Sequence, residues 1–189
     1  MSAERRTIAL IGARCAGKSA VGRRLAELLG RPFLDLDQEL AALFAAERES
    51  GPEAGEPPPA GAILLAEGEE RFRALEQRAL RAALSRSPSA VLSTGGGCVE
   101  RAANRELLAA RCLCVWLRAA PAVLARRMAA DSAARPALSP AGAIEEIAQV
   151  AARRAPHYQA LARFTVDTDD EGIEVLAGRV ARLVRGPVA

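Results

Sequence analysis

Apolar positions along the chain fall into two alternating rhythms. Thr7-Ile8-Ala9-Leu10-Ile11 is a short continuous apolar run ending in glycine, the pattern of a strand buried on both faces. From Lys18 to Leu29 the residues Val21, Leu25, Leu28 and Leu29 recur at helical spacing, and Gly30 with Pro32 closes the helix. Phe33-Leu34-Asp35-Leu36-Asp37 predicts a second strand running into acidic residues, and a helix follows through Leu40, Leu43 and Phe44. The prolines and glycines of Ser50 to Gly61 break the pattern and predict an exposed irregular loop. A helix returns over Glu67 to Leu84, with Phe72, Leu75, Ala79 and Leu80 on one face. Three more strands are predicted at Ser89–Ser93, stopped by Gly95-Gly96-Gly97, at Cys112–Leu117, and at Phe164–Val166. Helical stretches at Ala102–Ala109, Pro121–Ala129, Ala143–Leu161 and Gly172–Val184 surround the last two.

Strands that alternate with helices imply parallel crossovers. The expected fold is therefore α/β, a three-layer sandwich with a five-stranded parallel sheet between helices. A chain of 189 residues suffices for one such domain. Open α/β sheets bind ligands beyond the carboxyl ends of their strands. That rule directs attention to Gly12 onward, Asp35 and Asp37, the Gly95 triplet, Arg118 onward and Asp167 onward.

Composition narrows the classes of function. Half the residues are hydrophobic and 26% are charged, the balance of a globular protein. No apolar run is long enough to span a bilayer, and Met1 to Arg6 leads into no apolar signal segment, so a cytoplasmic protein without a membrane partner is expected. A net charge of +3 with only 3% aromatic residues argues against nucleic acid as a partner. Cys15, Cys98, Cys112 and Cys114 show no CxxC spacing, and with one histidine in the chain they read as reduced, mostly buried thiols, not zinc ligands. Lys18 is the one lysine among 26 lysine and arginine residues.

That lysine closes a motif. Gly12-Ala13-Arg14-Cys15-Ala16-Gly17-Lys18-Ser19 matches G-x-x-x-x-G-K-[ST], between an apolar strand and an amphipathic helix that starts with Lys18, Ser19 and Ala20. Backbone N–H groups of such a loop point inward around phosphates, and the helix adds its positive dipole end. Lys18 is placed to reach the β and γ phosphates, and the Ser19 hydroxyl to ligate magnesium. A nucleotide and Mg2+ are the expected ligands of this loop.

Phosphoryl transfer also needs an acid near the metal. The third and fourth strands end in Ser93-Thr94-Gly95 and Leu117-Arg118, without a carboxylate. The Asp35-x-Asp37 pair remains, and residues two apart on an extended segment point the same way. Asp35 is assigned to the metal, through water, and Asp37 to the attacking hydroxyl. The alternative is that one or both begin the next helix as capping residues.

Taken in order, the P-loop, Phe33-Leu34-Asp35-Leu36-Asp37, Gly68-Glu69-x-x-Phe72-Arg73-x-x-Glu76, Val91 to Gly97, Arg135-Pro136 and Arg153-Arg154-Ala155-Pro156-x-Tyr158 resemble the shikimate kinase family over nearly the whole chain. The resemblance implies a P-loop fold like that of the nucleoside monophosphate kinases. It also implies transfer of the γ-phosphate of ATP to the 3-hydroxyl of shikimate. Asp37 then matches the residue that binds the acceptor hydroxyls, and Arg73 and Arg154 match the pair that grips its carboxylate. Glu76 would hold Arg73 from one helical turn away. Gly95, Gly96 and Gly97 match the acceptor-binding glycines, with Gly96 a backbone donor. Arg135 matches a lid arginine that stabilises charge during transfer, and Arg127 the residue along the adenine. The resemblance further implies an acceptor-binding subdomain at about 37–86, a lid at about 129–142 and a monomer.

Two departures from the family pattern stand out. Cys15 occupies a P-loop position that is usually glycine, and the interval from Asp37 to Arg73 is longer by roughly a dozen residues centred on Ser50 to Gly61. Two alternatives accompany the kinase reading: a kinase of another hydroxy acid such as gluconate, and a ligand-sensing domain of the same fold without turnover.

Overall fold

The computed structural model describes residues 6–48, 56–130 and 140–186. Five strands, β1 (Thr7–Ile11), β2 (Phe33–Asp35), β3 (Val91–Ser93), β4 (Cys112–Arg118) and β5 (Ala162–Asp167), form one sheet in the order β2-β3-β1-β4-β5. Every pairing is parallel. The helices are α1 (Lys18–Leu29), α2 (Leu36–Arg48), α3 (Ala60–Arg86), α4 (Ala102–Arg111), α5 (Pro121–Ala130), α6 (Pro140–Leu161) and α7 (Ile173–Arg185). A 3-10 turn at Cys98–Glu100 precedes α4.

The alternation of β1 side chains divides the core. Ala9 and Ile11 join a cluster with Leu40 and Phe44 of α2, Phe72, Leu75 and Leu80 of α3, Leu108 of α4 and Tyr158 of α6. Ile8 and Leu10 join the opposite cluster, with Val21 and Leu25 of α1, Leu124 of α5, and Leu176 and Val180 of α7. Both faces of the sheet are thereby covered, as the three-layer reading expects. Helix α1 ends as its sequence predicts: Gly30 sits at φ 62°, its N–H donates to Glu27 O, and Arg31 N–H donates to Ala26 O. That pair of bonds satisfies the last carbonyls of the helix.

Three differences from the sequence reading stand out. The second strand stops at Asp35, and Asp37 belongs to the first turn of α2. The Asp35 carboxylate accepts the backbone N–H of Asp37 at 3.1 Å, so it caps the helix and turns the chain out of the sheet. Secondly, α3 starts at Ala60, seven residues before the expected Glu67. Pro59 needs no N–H at a helix start, and Ile63, 1% exposed, anchors the extra turns in the core. Gly68 interrupts this helix at φ 79°, ψ 167°. Of the predicted Ser50–Gly61 loop, residues 56–59 have no regular structure, Ala60 and Gly61 are helical, and the earlier part lies outside the described residues. Finally, α6 begins at Pro140, ahead of the expected Ala143. No helix among the described residues is long and apolar enough to cross a membrane.

Candidate active site

The P-loop joins β1 to α1, and its backbone is constrained at three positions. Gly12 lies at φ 143°, where a Cβ would stand 2.3 Å from Leu117 O. Gly17 lies at φ 89°. Cys15 is the one non-glycine residue with positive φ among those described, at 62°. That angle explains why glycine suits this position in the family pattern, since a β-carbon there costs on the order of 1 kcal/mol.

Lys18 is buried, and its Nζ donates to Ala13 O at 2.7 Å. Burial pushes its ammonium down to about 8, against the attraction of Asp37, Cys15 and Asp35. Ser19 Oγ donates to Asp35 Oδ2 at 2.7 Å and lies 3.1 Å from Ser93 Oγ. Ser19 and Asp35 thus offer adjoining hard oxygen atoms beside the P-loop, a donor set that suits magnesium. Among the described residues no cluster of three or more His, Cys, Asp or Glu side chains could hold a metal by itself.

Asp37 borders the same cleft from α2. By surface area the residue is exposed, yet its carboxyl is crowded by neighbours. Loss of surrounding water and repulsion from Asp35 raise it above its ordinary value, against Lys18, Arg14 and Arg73. Of the two readings of the Asp35-x-Asp37 pair, capping holds for Asp35, which caps α2 with one oxygen and meets Ser19 with the other.

Each glycine of the triplet after β3 leaves room for a different neighbour. A Cβ on Gly95 would stand 2.9 Å from Glu76 Oε1 and 3.1 Å from Asp37 Oδ1. On Gly96 it would press on the P-loop backbone, 3.1 Å from Arg14 N. On Gly97 it would strike the Arg73 guanidinium at 2.2 Å. Tyr158 Oη donates to Gly96 O at 2.6 Å and fixes the middle of the triplet.

Arg73 and Arg154 converge beyond these glycines. Arg73 Nη1 donates to Glu76 Oε2 at 3.0 Å, and Glu76 is 1% exposed. Burial raises the Glu76 carboxyl, and Arg73 offsets part of that rise. Arg73 Nη2 and Arg154 Nη2 both donate to Glu100 Oε2, at 3.1 and 3.2 Å. Burial alone would raise the Glu100 carboxyl, but bonds from Arg154 and Arg153 and the charge of Arg73 hold it below its ordinary value. Arg127 of α5 donates to Thr168 Oγ1 at 3.1 Å and to Cys15 O at 3.5 Å, which places it beside the P-loop.

Residues 14–184 match the family model for shikimate kinase. The chain belongs to the shikimate kinase family. It is 37% identical over 175 residues to the shikimate kinase of Mesorhizobium japonicum, covering 93% of this chain and 79% of that one. Against the shikimate kinase of Aeromonas salmonicida it is 35% identical over 186 residues, covering 96% and 98%. The solved shikimate kinase of Acinetobacter baumannii in complex with shikimate matches with a TM-score of 0.78 at 35% identity, over 95% of this chain and 92% of that one. Membership in a family of kinases makes the chain a phosphotransferase with the P-loop fold of that family.

Within this family framework the structure brings together Gly12 to Ser19, Asp35, Asp37, Arg73, Gly95 to Gly97, Arg127 and Arg154. Ala20 is exposed on α1. Arg135 and most of the expected lid lie outside the described residues. Sequence reasoning missed Glu100 and the roles of Ser93 and Tyr158. Only the position of Glu100, just after a glycine triplet, could have singled it out among the acidic residues.

Proposed function

We propose that the protein transfers the γ-phosphate of ATP to the 3-hydroxyl of shikimate. The observation that carries this reading is the distribution of charge in one cleft. Lys18 and the P-loop lie at one end, the Arg73–Arg154 pair at the other, and Asp37 lies near both Lys18 and Arg73. A small hydroxy acid fits that order, with its carboxylate on the guanidinium groups and a hydroxyl toward the phosphates.

In this reading the P-loop N–H groups and Lys18 hold the β and γ phosphates, and charge that builds during transfer meets a preorganised cation. Magnesium, held by Ser19 and by Asp35 through water, would draw negative charge off the phosphates. Asp37 orients the attacking hydroxyl and takes its proton; its raised value brings it closer to the operating pH of a general base. Arg73, braced by Glu76, and Arg154 fix the carboxylate. Arg127 lies along the adenine, beside the P-loop carbonyl of Cys15. The family match favours shikimate over gluconate as the acceptor.

A coupled assay that follows ADP release tests the reading. Shikimate should stimulate ATP consumption, gluconate should not, and Lys18→Ala should abolish the stimulation. Consumption independent of shikimate would overturn it.

A further inference from the structure

Glu100 ends the 3-10 turn that follows the glycine triplet, and its backbone is firmly held. Arg105 Nη1 donates to the carbonyls of Val99 and Glu100 at 2.8 Å each, and Asn104 Nδ2 donates to Cys98 O at 3.0 Å. The side chain has more freedom, being 23% exposed. Its Oε2 takes one N–H from Arg73 and one from Arg154, while Oε1 accepts from Arg153 Nη2 at 2.9 Å. Arg153 itself is 67% exposed and lies on the outer side of the pair.

This is the arrangement that a carboxylate ligand would adopt. Two guanidinium groups from different helices, α3 and α6, share one carboxylate oxygen. An acceptor carboxylate needs those same donors, and two carboxylates on one fork repel each other. Arg154 Nε is buried without a hydrogen-bond partner, so the pair also has donor capacity that Glu100 does not use.

We propose that Glu100 is a built-in competitor of the acceptor. Its carboxylate closes the Arg73–Arg154 fork in the free protein and yields to the carboxylate of the incoming molecule, swinging onto Arg153. The side chain keeps one ion pair throughout, and the arginines are never left as a bare pair of half-buried like charges. The cost falls on acceptor affinity. The inference rests on the reading of Arg73 and Arg154 as the carboxylate grip.

Glu100→Gln keeps the size and one acceptor oxygen but removes the charge. The KM for shikimate should fall about three- to tenfold, with kcat and the KM for ATP within about twofold of the parent. Calorimetric titration with shikimate should show the same gain in affinity. Glu100→Asp, which draws the carboxylate back from the fork, should move the KM in the same direction. A higher KM would make Glu100 a brace for the arginines, and an unchanged one a bystander; either overturns the inference. Parent protein without shikimate turnover would overturn the acceptor reading itself, so the two failures are distinct.

Discussion

Ser19 Oγ donates a 2.7 Å hydrogen bond to one oxygen of Asp35, while the other oxygen of that carboxylate accepts the N–H of Asp37 at 3.1 Å. One side chain thus reaches the P-loop hydroxyl and starts α2. Substitution separates the two roles. Asp35→Ala should lose both, lowering stability by about 1 kcal/mol through the missing cap and raising the magnesium needed for turnover. Asp35→Asn retains a capping oxygen, so its stability should stay close to the parent while its magnesium requirement still rises. Urea unfolding and magnesium titration read the two effects independently.

Lys18→Met replaces a buried ammonium by an apolar stem of similar length. Turnover should fall by at least about 100-fold, because the charge that meets the phosphates is gone. The thermal midpoint should not fall, since a desolvated cation leaves the interior. A midpoint several degrees lower would show that the ammonium contributes net stability.

The pH dependence has two limbs of opposite sign. The ammonium of Lys18 is lost as pH rises through about 8. The kcat/KM for ATP should therefore decline above that value, approaching about tenfold per pH unit. The folded value lies below the ordinary 10.5, so the folded protein binds fewer protons than the unfolded chain between them. This lysine's contribution to stability accordingly improves as pH rises from about 8 to 10.5. Asp37 is raised by desolvation and by Asp35, so the carboxylate that orients the hydroxyl is lost on acidification at a pH above an aspartate's ordinary value. The acid limb of kcat/KM for the acceptor should lie there, and any residual activity of Asp37→Asn should lack it.

Gly97→Ala would place a methyl group 2.2 Å from Arg73 Nη2. Arg73 must shift, and the KM for the acceptor should rise about tenfold with the KM for ATP unchanged. Gly61→Ala is the control. It meets no atom within 4 Å, and in a helix it should leave both KM values alone while adding about 0.5–1 kcal/mol of stability.

Gly68→Ala tests the break in α3. A Cβ there meets nothing within 4 Å, so the whole effect arises from φ 79° and ψ 167°. That region is almost closed to other residues, and a loss of about 1–3 kcal/mol is expected on denaturant unfolding. An unchanged midpoint would mean that the kink relaxes into continuous helix.

Local features were legible wherever a chemical requirement is written into adjacent residues. The P-loop spacing and the bounds of α1, closed by Gly30, need only neighbours in sequence. Boundaries failed where a distant group decides them. Ile63 makes the turns after Pro59 worth forming because a core formed by other elements receives it. The turn that puts Asp37 on α2 has a local cause instead, the Asp35 carboxylate capping the N–H two residues on, which the sequence left open as an alternative. Glu100 was hard to see because Arg73 and Arg154 of the fork lie 27 and 54 residues away.

The sequence by itself determined that a nucleotide-phosphate loop stands between the first strand and first helix, that the sheet is parallel, and which glycines and arginines to watch. Hydrophobic period, glycine placement and residue chemistry are local quantities, and they survive without a partner. Only the tertiary structure decided what a side chain at Gly95, Gly96 or Gly97 would meet: Glu76 and Asp37, the P-loop backbone, and Arg73 respectively. Only it decided that one carboxylate of the chain closes the arginine fork. Both depend on close approaches between separate elements, and such distances are set by how the layers pack.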